Sequence, residues 1–272
     1  MTKFDRYDIS QLSLTRIASA VKNRWKEIPH FFSWNINKQA KENRVNILKF
    51  RNIHEGKRCF IVANGPSIKL TNLELLENEY TFGLNRIYLN FNDSRFRPSY
   101  YLCVNELILE QFGKDIEGLQ MPKFLNWNRR SLFDDNDNSI IYLKSKMVLR
   151  DNFQQDVTQP LVVGGTVTFV ALQLAFYMGF SEVFIVGLDH KYSEKGIPSV
   201  TVERHEETDL SHFHANYFPK GAKWQPPDLV RSEIDFSIAL DFFQKNGRSI
   251  KDATIDGNCP VFEKVDYYSL FK

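Results

Sequence analysis

The residues with the most chemical promise stand where short apolar runs end. Cys59-Phe-Ile-Val-Ala63 stops at Asn64-Gly65-Pro66-Ser67. Gly65 lets backbone approach a ligand closely, Pro66 fixes the turn, and the amides beyond it can face an anion. The turn lacks the Gly-Lys-Ser/Thr ending of a Walker loop and the three glycines of the dinucleotide fingerprint. In Phe82-Gly83-Leu84-Asn85-Arg86 a second run ends in an amide and a cation. Asn85 is placed to read a base or ribose, while Arg86 suits the surface equally well. Cys103-Val104-Asn105-Glu106 repeats the arrangement, so three successive runs end in Asn.

Further along, Val163-Gly164-Gly165-Thr166 sets two glycines and a capping hydroxyl ahead of an apolar stretch. That pattern offers free amides to a phosphate or carboxylate, or close packing of a helix on a sheet. Gly187-Leu188-Asp189-His190-Lys191-Tyr192 ends another run, and there Asp189 and Tyr192 could hold a ribose hydroxyl and a leaving phosphate. His205, His212 and His214 follow in an irregular stretch. Their spacing matches no zinc site, but a histidine titrating near neutral pH is the usual base for activating a hydroxyl. Asp134-Asp135-Asn136-Asp137 imitates an acidic metal motif but sits in a polar turn, and reads as a solvated loop.

The elements that must position these groups alternate. Continuous apolar runs at Cys59–Ala63, Tyr80–Leu84, Tyr100–Val104, Ile140–Leu143 and Val183–Leu188 predict strands buried on both faces. Thr166–Met178 predicts a buried helix closed by Gly179, and Ser232–Phe243 a later one. A helix capped by Thr71 is expected after the first loop, and a last strand near Ala253–Ile255. The fold class is therefore α/β, a Rossmann-like, mostly parallel sheet flanked by helices. Residues 191–228 break the pattern and read as a lid.

Ahead of this domain (57–272) lies a helical, basic extension, residues 1–56. Ile9, Leu12, Leu14, Ile17, Ala18, Val21 and Trp25 fall at near-helical spacing, with Lys22, Arg24 and Lys26 at the end. Residues 34–56 read as a second helix or a connecting arm. Residues 1–58 carry 13 Lys/Arg against 5 Asp/Glu, although the whole chain is only +2. So small a net charge argues against a nucleic-acid binder, while the basic helix leaves open a peripheral contact at an inner-membrane face. Cys59, Cys103 and Cys259 have no metal spacing and fit a reducing, cytoplasmic compartment. No stretch has the length and apolarity of a signal or a membrane span.

In their order, Ile-Val-Ala-Asn-Gly-Pro-Ser, Gly-Leu-Asn-Arg, Gly-Gly-Thr and Phe-Ile-Val-Gly-Leu-Asp resemble the domains related to 6-hydroxymethylpterin pyrophosphokinase, over roughly residues 57–262. The set is also similar to the bacterial sialyltransferases of glycosyltransferase family 42 and to motility-accessory glycosyltransferases. The resemblance implies that Asn64, Gly65, Pro66, Ser67, Asn85 and Asn105 hold a CMP-sugar. It further implies that Gly165 and Thr166 meet the sugar-nucleotide, that Asp189 and Tyr192 hold ribose and phosphate with Tyr217 as a substitute tyrosine, and that His212 or His214 is the base. Arg86 belongs with the nucleotide-binding set.

The expected activity is transfer of a nonulosonic or related sugar from CMP to a hydroxyl of a surface glycan or lipid-linked glycan. No metal cofactor is required, because a CMP-linked ketose leaves as a phosphate of low basicity. A pyrophosphokinase using ATP and Mg²⁺ is the rival enzyme reading, with Asp189 as an acidic ligand. A non-catalytic nucleotide-binding subunit of a glycan-assembly complex is the third. Self-association stays open.

Overall fold

Continuous apolar runs fold as strands here because helices and loops cover both faces of the sheet they form. The computed structural model describes residues 14–146, 152–192, 197–198 and 200–272, with side chains of the first helix from Trp25 onward. Two helices come first, α1 (Leu14–Ile36) and α2 (Lys38–Leu48). Then follow β1 (Arg58–Val62), β2 (Tyr80–Leu84), β3 (Tyr100–Cys103), α3 (Glu106–Glu117), β4 (Lys123–Asn126) and β5 (Ile140–Leu143). Two-residue strands β6 (Ser145–Lys146) and β7 (Leu161–Val162) pair with each other ahead of α4 (Val167–Tyr177) and β8 (Glu182–Val186). The lid contains a short antiparallel pair, β9 (Val202–Glu203) and β10 (Lys223–Trp224), and α5 (Leu229–Lys245), β11 (Ser249–Asp252) and β12 (Glu263–Lys264) complete the order.

The main sheet is parallel throughout, in the order β12-β11-β8-β1-β2-β3-β4-β5. Chain order therefore reverses between β1 and β8. Open α/β sheets leave a crevice at such a switch point, outside the carboxyl ends of the strands, because the connections on either side diverge.

α4 is the central helix of the core. Ten of its eleven residues are buried, which explains a sequence apolar nearly all round. Thr166 caps it through Oγ1, which accepts from the Thr168 amide at 3.2 Å. Gly179 ends it at φ +94°, where an added Cβ would also meet the backbone of Glu55 and Asn52 at 3.0–3.1 Å. The amino-terminal helices are part of the same packing. Asn43 of α2 donates to the Tyr142 carbonyl (2.7 Å) and accepts from the Tyr142 amide (2.8 Å), so its side chain closes the exposed edge of β5.

Several elements differ from the sequence expectation. The helix expected after the first loop is two 3₁₀ turns, Pro66–Leu70 and Leu73–Leu76, because Thr71 leaves the helical region and the Asn72 side chain caps a new start. The strand expected at Ala253–Ile255 lies earlier, at β11, where alternate burial of Ile250 and Asp252 marks a half-covered strand rather than an apolar run. Helix α1 extends past residue 26 to Ile36, through Pro29; residues 9–13 of the expected helix lie outside the described residues. No helix among the described residues is long and apolar enough to cross a membrane.

Candidate functional site

The ends of β1 and β8 lie side by side and shape the first wall of the crevice. The Ala63 amide donates to the Val186 carbonyl and the Gly65 amide to the Gly187 carbonyl, both at 2.9 Å. Asp189 then turns back over the loop, accepting from the Ser67 amide (3.0 Å) and the Ser67 hydroxyl (2.7 Å). The Gly65 and Ser67 amides are thus already used inside the protein. They do not form the anion cradle expected from the sequence, because the carboxylate of Asp189 takes the place of an anion there. Burial raises the Asp189 carboxyl above its ordinary value, against the pull of its bonds to Ser67.

What this wall does offer is acceptors. Asn64 Oδ1 and Asn85 Oδ1 are buried with no hydrogen-bond partner, and both residues line the crevice. A buried amide oxygen without a partner costs stability on the order of 1–3 kcal/mol, and a ligand N–H or O–H would remove that cost. Asn85 also adopts φ +46°, a left-handed conformation that Asn tolerates better than most residues. The strained turn carries the side chain at the strand end.

The neighbours of Asn85 have other roles. Arg86 is buried away from the crevice lining and donates to the carbonyls of Asn216 (3.0 Å) and Tyr217 and to the Tyr88 hydroxyl (3.0 Å), with its guanidinium 3.6 Å over the Phe112 ring. It clamps the lid rather than lining the crevice. Asn105 caps α3, its Oδ1 accepting from the Leu107 and Ile108 amides, and it lies outside the crevice lining. Pro66 and Ser67 stand behind the lining and shape it.

The opposite wall is the start of α4. Gly164 sits at φ +65°, and its loop is held by buried Asp235, whose Oδ2 accepts from the Gly165 amide at 2.6 Å. That amide is therefore not free for a phosphate, contrary to the sequence expectation. The Thr168 and Phe169 amides bond Thr166. The amides of Thr166 and Val167 remain at the positive end of the helix, and both residues line the crevice beside Lys191.

The lid brings one of its histidines to the crevice. Of its histidines, His212 lines the crevice and His214 does not; the His214 Nδ1 instead accepts from the Asn216 amide at 3.1 Å. His212 Nδ1 lies 2.9 Å from Asp209 Oδ2, and its ring stacks on Tyr217 with centroids 3.9 Å apart and planes 3° from parallel. Asp209 is a fixed point of the lid. Its carboxylate also accepts from the Ser211, His212 and Phe218 amides, and Arg204 stands 3.7 Å away. The Phe213 amide, donating to the Asn64 carbonyl at 2.9 Å, ties the whole segment to the first loop. Tyr192 completes this side, its phenol pushed up to about 12 by burial and by the charges of Asp189 and Asp209. It stays protonated, a donor, at any working pH.

Sequence reading missed Asp209 and Asp235. Asp209 had a usable signal, Asp-Leu-Ser-His, since an Asp three residues before a His can bond both its amide and its ring. Asp235 had none, because it meets Gly165 only through the packing of α5 on α4.

Burial alone would raise the Asp209 carboxyl, but its bond to His212 and the His212 and Arg204 charges hold it below its ordinary value. The ionised carboxylate therefore stabilises the fold above the ordinary range near pH ~3.9, and that contribution is lost as pH falls through it and below. Asp189, held above its ordinary value, works in the opposite direction and contributes stability that fades as pH rises through the same region. Asp209→Asn should lose stability at neutral pH and melt with a flatter acid limb, whereas Asp189→Asn should steepen that limb. Thermal melts across acid pH measure both, and identical limbs in wild type and Asp209→Asn would refute the assignment.

The crevice is partly open to solvent and holds a cavity of about 110 Å³. Asp189 is the carboxylate among the residues lining it, with both oxygens engaged by Ser67. Among the described residues no three His, Cys, Asp or Glu side chains group as metal ligands. Mg²⁺–nucleotide sites use one or two carboxylates that face the ion, and here Asp189 is bonded to Ser67.

A family model described as 6-hydroxymethylpterin diphosphokinase MptE-like matches residues 34–195. The match starts earlier than the resemblance read from the sequence, taking in α2, and includes Asn64, Asn85, Thr166, Asp189 and Tyr192. It stops ahead of Asp209 and His212. No curated protein matches the chain.

Proposed function

Because this chain belongs to the 6-hydroxymethylpterin diphosphokinase MptE-like family, we propose that it is a transferase, and specifically one that moves a nonulosonic or related sugar from a CMP-activated donor to a hydroxyl of a bacterial surface glycan. The observation that carries this reading is His212, a crevice-lining imidazole whose Nδ1 is held by a buried carboxylate. With Nδ1–H donated to Asp209, Nε2 is the nitrogen left to take a proton.

In this reading the acceptor hydroxyl forms a bond to the anomeric carbon as the bond from that carbon to the phosphate oxygen breaks. The hydroxyl proton passes to His212 Nε2, and ionised Asp209 stabilises the imidazolium. CMP departs with the bonding electron pair. Tyr192, as a permanent donor, and the Thr166 and Val167 amides meet the charge that develops on its phosphate. The unpartnered oxygens of Asn64 and Asn85 suit the exocyclic amine of cytosine or a ribose hydroxyl. In this reading a CMP-linked ketose leaves as a phosphate of low basicity and requires no metal.

Thermal-shift measurements with CMP, CDP, ATP and GTP, each with Mg²⁺ or with chelator, test the reading. CMP at a hundred times its Kd should stabilise by about 2.7 kcal/mol, equally in both conditions. Stabilisation by ATP that needs Mg²⁺, with none by CMP, would replace it with a diphosphokinase.

A further inference from the structure

Independently of what the crevice transfers, α1 carries a stripe of large apolar side chains that stand exposed. Its inner side is fixed by specific contacts. Glu27 accepts from buried Lys144 and from Asn128, both at 2.7 Å; Ser33 Oγ accepts from Trp127 Nε1 at 3.0 Å; and Trp34 packs edge-on against Trp127. The other side is therefore turned away from the domain. Trp25, Ile28, Phe32 and Ile36 follow one another at helical spacings of three and four, so they form one line along it, with Phe31 alongside. All five are exposed, Trp25 at 70% and Ile36 at 73%. A continuous row of large apolar side chains is uncommon on a surface that meets only water.

Charge selects the partner. Residues 1–58 hold 13 Lys/Arg against 5 Asp/Glu, whereas residues 59–272 hold 22 against 28. Pairing two copies stripe to stripe would bring two basic segments together. An anionic lipid surface complements them, and aromatic side chains beside basic ones are the composition of helices that lie in the headgroup region. We propose that α1 docks the protein flat on an anionic bilayer, with Trp25, Ile28, Phe31, Phe32 and Ile36 entering the boundary between headgroups and acyl chains.

The full chain, sedimented with vesicles of phosphatidylcholine alone or mixed with phosphatidylglycerol, tests this. Partition onto the mixed vesicles should exceed that onto neutral ones by about ten-fold and fall steeply in high salt. The triple variant Trp25→Ser, Phe31→Ser, Phe32→Ser should lose most of that partition with a melting temperature close to that of the wild type, since these side chains are more than half exposed. Trp25 also reports on its own position, because Trp34, Trp127 and Trp224 are buried. Tryptophan emission should shift to the blue on mixed vesicles, and Trp25→Leu should bind without the shift. Failure to bind mixed vesicles overturns the proposal. So does a concentration-dependent dimer in sedimentation velocity that the triple variant abolishes, which would assign the stripe to a second copy of the chain.

Discussion

Replacing His212 by Ala is expected to lower kcat by about 10²–10⁴, the usual contribution of a positioned general base, while nucleotide binding changes by no more than a few-fold. The split follows from the geometry. His212 meets the crevice through a ring whose other nitrogen is held by Asp209, whereas the acceptors suited to the nucleotide, Asn64 and Asn85, follow β1 and β2, outside the lid. Removing the ring leaves Asp209 with three backbone amides and Arg204, so the lid keeps its anchor. His214→Ala should leave turnover within about three-fold, because that side chain bonds its own turn rather than facing the crevice. Asp209→Asn should approach the His212→Ala loss, since an amide in its place presents a donor to Nδ1 and drives the ring proton to Nε2, where it blocks proton transfer. Steady-state kinetics with a CMP-sugar donor, together with titration of CMP binding, separates the effects. Full turnover by His212→Ala would remove the base from the mechanism.

The choice between His212 and His214 shows what sequence could and could not supply. Both lie in one irregular segment, and nothing in spacing distinguishes two histidines flanking a phenylalanine. Backbone bonds that form only after the lid folds distinguish them. The Phe213 amide pairs with the Asn64 carbonyl, and Asp209 gathers its amides, which together turn one ring inward and leave the other on its own turn. The strands around the crevice were legible for the opposite reason. Cys59–Val62 and Val183–Val186 are continuous apolar runs whose burial on both faces is written in composition. Strand β4 was not, because it opens with Lys123, a charge that stays buried only through Ser139, Asp137 and the Leu119 carbonyl. The three strand-end asparagines looked equivalent in the sequence. In the fold Asn64 and Asn85 face the crevice, while Asn105 is followed by a helix and caps it. The glycine loops depart from the sequence expectation for one shared reason: the protein supplies its own carboxylates, Asp189 and Asp235, to the Ser67 and Gly165 amides.

The same self-supplied carboxylate makes Gly65→Ala the substitution with the largest expected structural effect. Gly65 has an ordinary extended backbone, φ −68° and ψ 163°, so the demand for glycine is steric and not conformational. An added Cβ would overlap an Asp189 carboxylate oxygen and stand 2.5 Å from its Cγ and 2.7 Å from the Gly187 carbonyl oxygen. Asp189 cannot swing aside without releasing the Ser67 amide and hydroxyl, and the loop cannot lift without breaking the Gly65 bond to Gly187. Each route leaves buried polar groups unpaired at about 1–3 kcal/mol apiece. The total loss is then on the order of 2–4 kcal/mol, or roughly a 10 °C fall in Tm for a chain of this size. Gly113→Ala, in α3, provides the contrast. Its added Cβ would lie 3.7 Å from the Phe133 ring, an ordinary contact, and alanine favours the helix by about 0.5–1 kcal/mol. Asp189→Ala combined with Gly65→Ala should recover part of the loss but not all of it, because the Gly187 carbonyl remains in place. Differential scanning of the four proteins reads this directly, and CMP titration should show weakened binding wherever the first loop has moved. If Gly65→Ala melts with the wild type and binds CMP as well, then Asp189 does not lie over the loop, and the crevice wall built from β1 and β8 has been wrongly drawn.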